Sequence, residues 1–213
     1  MKDIAIYGAG GYGREVACLI NVVNSLKKEW NLIGFFDDGL PIGHKNEYGT
    51  IIGGISELNN YFQPLSIAMA IANPTALESV IKKIRNSQIE FPNIITPDIL
   101  FFDKNTVSMG YGNIIGFKSA ISCNVRIGNF NRFNTGIFIG HDVIIGNFNM
   151  FNPSTRISGK VTIGDCNFFG VGSIVLQQKY IGNNTTIGAN SVIMKKTKDN
   201  GTYIGNPAIE LKY

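Results

Sequence analysis

IGFKSA ISCNVR IGNFNR FNTGIF IGHDVI IGNFNM FNPSTR ISGKVT IGDCNF FGVGSI VLQQKY IGNNTT IGANSV, residues 115–192, followed by Ile193, decides the fold when it is read in sixes. Every sixth residue is large and apolar: Ile115, Ile121, Ile127, Phe133, Ile139, Ile145, Phe151, Ile157, Ile163, Phe169, Val175, Ile181, Ile187 and Ile193. The next residue is usually Gly, Asn or Ser. Four positions on stands a small or β-branched residue such as Ser119, Val125, Val143, Thr155, Val161, Ser173, Thr185 or Ser191. A period of six fits neither an α-helix nor a hairpin. It fits a chain wound as a triangular prism, one short strand and one turn per hexapeptide, three hexapeptides per coil. The apolar side chain points inward and stacks on its equivalent one coil away. Gly or Asn is expected to serve the turn, where a positive φ penalises other residues.

Upstream the period changes. Asp3 to Tyr7 reads as a strand, Gly8 to Gly13 as a loop, and Arg14 to Lys28 as a helix with Val16, Leu19, Ile20 and Val23 on one side. Leu32 to Phe36 and Ser66 to Ala72 read as further strands, Ile55 to Phe62 and Pro74 to Asn86 as helices, and Phe91 to Ile95 as a fourth strand. Asn73 stands as N-cap with Pro74 at the first helical position. Alternating strands and helices predict a parallel sheet covered on both faces. The expected organisation is an α/β unit over residues 1–105 and an all-β parallel helix over 106–213.

Composition narrows the function. Of 213 residues, 44% are apolar and 16% charged, a globular balance, and the net charge of +4 is spread over isolated pairs such as Lys27-Lys28 and Lys195-Lys196. Nucleic-acid binding wants a concentrated basic face, and none is present. The mild excess suits an anionic ligand. Cys18, Cys123 and Cys166 are too few and too far apart for a disulfide framework or a zinc site. The N-terminus runs straight into a strand, unlike a signal peptide, and the longest apolar run, Ile67 to Ala72, cannot span a membrane. These features predict a cytoplasmic protein with no membrane span and no metal.

The hexad pattern resembles the left-handed β-helix of hexapeptide-repeat acyltransferases. Ile4 to Glu15 (IAIYGAGGYGRE) and Gly34-Phe35-Phe36-Asp37-Asp38 resemble the N-terminal, Rossmann-like unit of the sialic acid O-acetyltransferases and PglD-like sugar acetyltransferases. Ile139-Gly140-His141-Asp142, Asn152-Pro153-Ser154-Thr155 and Ser158 to Asp165 resemble that group's catalytic coils, and Gly205-Asn206-Pro207-Ala208 resembles its closing motif. The resemblance implies a homotrimer with composite sites, acetyl-CoA as acyl donor along a groove between prisms, and a nucleotide-activated sugar on the N-terminal unit.

Residue by residue, the resemblance assigns Gly8, Gly10, Gly11, Gly13, Asp37 and Asp38 to the nucleotide sugar. Taken alone, Gly-x-Gly-x-x-Gly with an acid 24 residues on also suits a dinucleotide oxidoreductase. About 100 residues are too few for that fold's two halves, though one half can cradle phosphate. A plain strand–helix turn remains open there, as does a solvated turn for Asp37-Asp38. Asn73 lines the same crevice or simply caps its helix. Transfer from a thioester needs a base near neutral pH, and of two histidines only His141 sits on the repeat scaffold; His44 does not. Asp142 beside it would orient the ring. Asn134 matches a substrate-contacting position or is a turn Asn at positive φ. Gly159 matches a Gly whose N–H meets the acyl donor or is simply a turn Gly, and Lys195, Lys196 or Lys198 would meet the CoA phosphates or form a solvated cluster. Two departures stand out: Met150 occupies the place of a second family His, and Ile209 that of a Lys or Arg.

The expected reaction is direct N-acetylation of a UDP-4-amino sugar. Sugar O-acetylation of the sialic-acid type is the near alternative, and a non-catalytic sugar-nucleotide scaffold the distant one.

Overall fold

A computed structural model describes residues 1–212. The N-terminal unit orders its elements as β1 (Lys2–Tyr7), α1 (Gly11–Leu26), β2 (Trp30–Phe36), β3 (Lys45–Asn46), β4 (Gly49–Gly53), α2 (Ile55–Asn59), β5 (Leu65–Met69), α3 (Pro74–Lys83) and β6 (Ile89–Glu90). The sheet runs β3-β4-β2-β1-β5-β6, parallel except for the β3–β4 hairpin. Central strands read as unbroken apolar runs because both faces are covered; Ile4, Ala5, Ile6, Ile67 and Phe35 have essentially no exposure. The hairpin was not expected, since Lys45-Asn46 is too short and polar to announce a strand. Its turn is held by Asn46, whose Oδ1 accepts from Tyr48 N and Gly49 N.

The prism is built as its period requires. All fourteen apolar positions are second residues of two-residue strands, all are at most 5% exposed, and all fall in one core. Strands pair in parallel at a separation of 18 residues, as in Ile121 with Ile139 and Ile139 with Ile157. Phe133, Phe151 and Phe169 stack in register, centroids 4.7 and 4.6 Å apart. Such contacts are worth ~0.5–1.5 kcal/mol beyond area burial.

Two expectations are corrected. The fourth strand expected at Phe91–Ile95 is not one element. Ile89–Glu90 closes the sheet, while Ile94–Ile95 is already the first rung of the prism, paired with Ile114–Ile115. Rungs at Leu100–Phe101 and Ser108–Met109 follow, so the prism starts upstream of residue 106. Eight residues rather than six separate Phe101 from Met109, the surplus taken up by a 3-10 turn at Lys104–Thr106, which breaks the sequence period there. The positive φ falls three residues after each apolar position from Ile115 to Ile187, not on the residue following it: Lys118, Asn124, Phe130, Asp142, Phe148, Ser154, Lys160 and Cys166 all lie between +54° and +63°. The glycines after the apolar positions answer to close approach instead. A Cβ on Gly128 would stand 2.5 Å from Gly146 O, and one on Gly140 2.7 Å from Gly159 N.

One corner carries a buried ladder of Asn113, Asn131, Asn149 and Asn167. Each Oδ1 accepts the backbone N–H one coil on, from Asn131, Asn149, Asn167 and finally Thr185, at 2.7–3.0 Å. One prism face is covered by the N-terminal unit. Its outward residues Ile94, Ile114, Arg132 and Met150 are all buried, the first two in one core with Val16 and Ile20 of α1. The other faces leave Leu100, Ile144 and Tyr180 in solvent.

Candidate active site

His141 follows Ile139, which is fully buried, and Gly140, so its backbone is anchored to the core two residues back. Neighbouring coils clamp it. Asp142 N donates to Cys123 O at 3.1 Å, and His141 O accepts from Lys160 N at 2.8 Å. Asp142 takes the left-handed φ of +57°, a conformation Asp tolerates better than most residues. That turn brings its carboxylate back to the ring: His141 Nδ1 and Asp142 Oδ2 are 2.7 Å apart. Asn124 Nδ2 donates to Asp142 Oδ1 at 3.2 Å. The bond to His141, then that from Asn124, holds the Asp142 carboxyl below its ordinary value. An ionised carboxylate only accepts, so in the neutral ring the proton sits on Nδ1 and the lone pair on Nε2. Nε2 lies over Gly159: a Cβ there would be 2.4 Å away. Gly159 is thus the residue that leaves room for the imidazole.

The register Ile139–Ile157–Val175–Ile193 puts His141, Gly159, Gln177 and Lys195 along one corner. At ~4.8 Å per strand spacing, Lys195 lies about 14 Å along the axis from His141. Lys195 and Lys196 are exposed and line a cavity of about 510 Å³ with Pro207, Ala208 and Ile209. On the other side of His141, Asp142 and Asn124 border a cavity of about 430 Å³ with Thr106 and Arg126.

The N-terminal residues form a separate group at the carboxyl ends of β1, β2 and β5. Gly8 has φ +104° and no room for a Cβ, and a Cβ on Gly13 would collide with Gly8 O. Gly10 and Gly11 face open space, and α1 begins with no side-chain cap and no acid in its first turn. Both acids are engaged within the protein. Asp37 accepts from Ala9 N and Gly39 N, each at 2.8 Å, so it ties the glycine-rich loop to β2. Asp38 accepts from Ile55 N at 2.8 Å and from the Tyr7 hydroxyl at 2.5 Å. Burial, reinforced by that bond, drives the Tyr7 phenol far above its usual range. Asn73 caps α3, its Oδ1 accepting from Ala76 N at 2.9 Å. Asn134 is not at positive φ; the left-handed residue there is Gly136. Asn134 instead lines a cavity of about 220 Å³ in the seam with Tyr12, Glu15 and Phe117.

Residues 3–84 match the family model described as PglD N-terminal domain. Over 144 residues the chain is 30% identical to GDP-perosamine N-acetyltransferase of Escherichia coli O157:H7, which covers 67% of this chain and 63% of that protein. The acetyltransferase domain of PglB from Neisseria gonorrhoeae FA1090, solved with acetyl coenzyme A, superposes over 99% of both chains at a TM-score of 0.87 and 25% identity. The chain thus resembles the PglD-like sugar acetyltransferases, in sequence over its N-terminal unit and in fold throughout. PerB from Caulobacter crescentus, solved with CoA and GDP-perosamine, aligns over 100% of this chain and 98% of its own at a TM-score of 0.84 and 22% identity, which bears on the fold alone. The PglD-like chain therefore has the small parallel sheet and left-handed β-helix that its sequence pattern resembles.

Sequence reasoning on this PglD-like chain missed Asn124, Gln177 and Arg132. The first two are legible only once the 18-residue register is applied to His141 and Asp142. Arg132 occupies an outward strand position, where a solvated charge is the ordinary reading. Among the described residues no group of three or more His, Cys, Asp or Glu could hold a metal ion, and no helix is long and apolar enough to cross a membrane.

Proposed function

We propose that the chain transfers an acetyl group from acetyl-CoA to the amine of a nucleotide-activated 4-amino sugar, with His141 as general base. The observation that carries this reading is the held imidazole: Nδ1 fixed by Asp142 at 2.7 Å and Nε2 free above Gly159. The corner line from His141 to Lys195 supports a thioester laid along the prism with its phosphates toward Lys195 and Lys196. The open α1 N-terminus at Gly10 and Gly11 supports a diphosphate beside the glycine-rich loop. Asp37, Asp38 and Asn73 shape that loop and its crevice, and Asn134 faces the acceptor from the prism side.

In the reaction the neutral amine attacks the acetyl carbonyl and the C–N bond forms. Nε2 takes the amine proton, and the Gly159 N–H stabilises the oxyanion. The C–S bond then breaks and the proton passes to the departing thiolate, releasing CoA as a free thiol. Asp142 remains ionised throughout and stabilises the transient imidazolium.

UDP is the nucleotide we propose. The E. coli relative is named for a GDP sugar, so both bases belong in the assay. We further propose a cytoplasmic homotrimer, supported by Leu100, Ile144 and Tyr180 in solvent on the prism faces that the N-terminal unit leaves bare. The test is thiol release from acetyl-CoA across UDP- and GDP-4-amino sugars and free sialic acid, with His141→Ala alongside. Turnover with an amino sugar, cut by ~10²–10⁴-fold in the variant, is expected. Near-full turnover by His141→Ala rejects the base, nucleotide-sugar binding with no thiol released favours a scaffold, and light scattering at the monomer mass rejects the trimer.

A further inference from the structure

The first coil of the prism is regular at two corners and enlarged at the third. Ile95 to Phe101 and Met109 to Ile115 each advance by six residues, but Phe101 to Met109 advances by eight. The enlarged corner is the one on which Cys123, His141 and Gly159 stand in the coils that follow, by the register Phe101–Ile121–Ile139–Ile157. In those coils one backbone bond repeats. Asp142 N donates to Cys123 O at 3.1 Å, Lys160 N to His141 O at 2.8 Å, and Gln178 N to Gly159 O at 3.0 Å. The same rule would join Asn124 N to Asp103 O. Asn124 N donates instead to Thr106 Oγ1 at 2.9 Å, and that hydroxyl donates to Asp103 O at 3.0 Å. The two surplus residues thus slip a side-chain hydroxyl between coils that are bonded backbone to backbone further along the same corner.

The effect of that seat on Asn124 is felt one coil on. Asn124 and Asp142 hold the same turn position 18 residues apart, at φ +56° and +57°, a conformation that Asn and Asp tolerate better than most residues. Asn124 Nδ2 donates to Asp142 Oδ1 at 3.2 Å, while Asp142 Oδ2 lies 2.7 Å from His141 Nδ1. One carboxylate oxygen is held from the preceding coil and the other holds the ring. Exposure makes that hold matter. The His141 and Asp142 side chains are 52% and 40% exposed. In water such a pair is weakened by screening and by the entropy of fixing two side chains in one geometry. Anchoring Asp142 through Asn124 removes part of that entropic cost, so the imidazole is oriented before substrate arrives.

We propose that Thr106 is a positioning residue of the transfer reaction, acting through Asn124 and Asp142 to hold the His141 ring with Nε2 bare above Gly159. This rests on His141 as the base in the reading above. Thr106 stands 35 residues before His141, at the end of the 3-10 turn Lys104–Thr106, and borders with Asn124 and Asp142 the cavity of about 430 Å³ on that side of the base. The seat needs a hydroxyl, because it must accept from one backbone group and donate to another. Ser does both and Val does neither.

The test uses the full chain with Thr106→Val, Thr106→Ser and Asn124→Ala, and the double variant Thr106→Val with Asn124→Ala. Thr106 and Asn124 are both exposed, so the variants are expected to fold, and melting checks this. Nitrogen-15 NMR at alkaline pH reads the tautomer of each neutral imidazole. The chain has two histidines, and the exposed His44 serves as the internal standard for an untethered ring. In the wild type His141 is expected in the Nδ1–H form. In Thr106→Val its signals move toward those of His44, kcat for thiol release falls roughly tenfold, and KM for acetyl-CoA and for the acceptor changes less than about threefold. Thr106→Ser recovers most of both losses. Asn124→Ala loses at least as much as Thr106→Val, and the double variant loses no more than Asn124→Ala alone, because Thr106 acts through it. An unchanged His141 tautomer in Thr106→Val overturns the proposal, whatever happens to melting, since that marks a structural role. So does a Thr106→Ser as impaired as Thr106→Val, or a double variant whose loss is the product of the two single losses. If His141→Ala turns over at full rate, or no acceptor releases thiol, while the tautomer still depends on Thr106, the base reading fails and the link from Thr106 to the ring stands.

Discussion

Gly159→Ala puts a methyl group where the His141 ring already sits. The added Cβ would meet Nε2 at 2.4 Å, Cε1 at 2.6 Å and Cδ2 at 2.9 Å, against 3.4–4 Å for ordinary contact. Something must withdraw by roughly 1 Å, and the imidazole is the part free to move, since the His141 side chain is 52% exposed. A swing of that size breaks the 2.7 Å bond to Asp142 and takes Nε2 off its line. A misplacement of ~1 Å at a reacting group costs about 10²-fold in rate. Stability moves the other way. Gly159 is not among the positive-φ glycines, so Ala fits its backbone and stiffens the unfolded chain, a gain of ~0.4–1 kcal/mol. The assay is kcat/KM by thiol release beside a denaturant titration, in the wild type and in a His141→Ala background. The expected result is a loss of about 10²-fold with stability unchanged or raised, and no additional loss once His141 is gone. Full activity in Gly159→Ala refutes the steric argument. An additional loss in the double variant refutes the claim that the methyl acts through the ring.

Three further outcomes follow from the same geometry. The Asp142 carboxyl, followed by carbon NMR, titrates below its ordinary ~3.9, and its midpoint rises in Asn124→Ala. Because its folded value is depressed, the stability Asp142 lends is present above that ordinary value and is lost as pH falls through the folded one. Asn149→Ala removes the acceptor for Asn167 N and the donor to Gly164 O, at ~1–3 kcal/mol for each buried group left bare; urea unfolding reads the loss. Gly10→Ala meets nothing within 4 Å, so melting is unchanged, whereas a diphosphate seated at the α1 N-terminus raises KM for the sugar nucleotide and leaves KM for acetyl-CoA alone.

The prism was legible because its core obeys a one-dimensional rule. A side chain at each sixth position either fills the interior or leaves a hole, and fourteen in succession fill it. The His141–Asp142 pair was legible because adjacent residues on one turn need no tertiary knowledge. What could not be read was whatever depends on the neighbouring coil. Glycines attributed to turns proved to be places where coils touch, and the positive φ fell on Lys118, Phe130 and Cys166, residues with no preference for it. Nor does the sequence show that Ala9 N, Gly39 N, Ile55 N and the Tyr7 hydroxyl donate to the Asp37 and Asp38 oxygens, since each donor but Gly39 N comes from a distant segment. Arg132 was unreadable for the same reason: only the covering of its face by α1 turns a surface charge into a buried one.

The asparagine ladder makes the prism count in eighteens. Each Oδ1 holds the chain exactly one turn of the winding later, so length can be added or removed cheaply only in whole windings; a gain of six residues would rotate everything beyond it by a third of a revolution. A winding inserted between Ile121 and Ile139 would carry His141 away from the glycine-rich loop by one strand spacing, ~4.8 Å, without turning it aside. The distance from the glycine-rich loop to the His141 turn is therefore graduated like a ruler, in steps fixed by an integer.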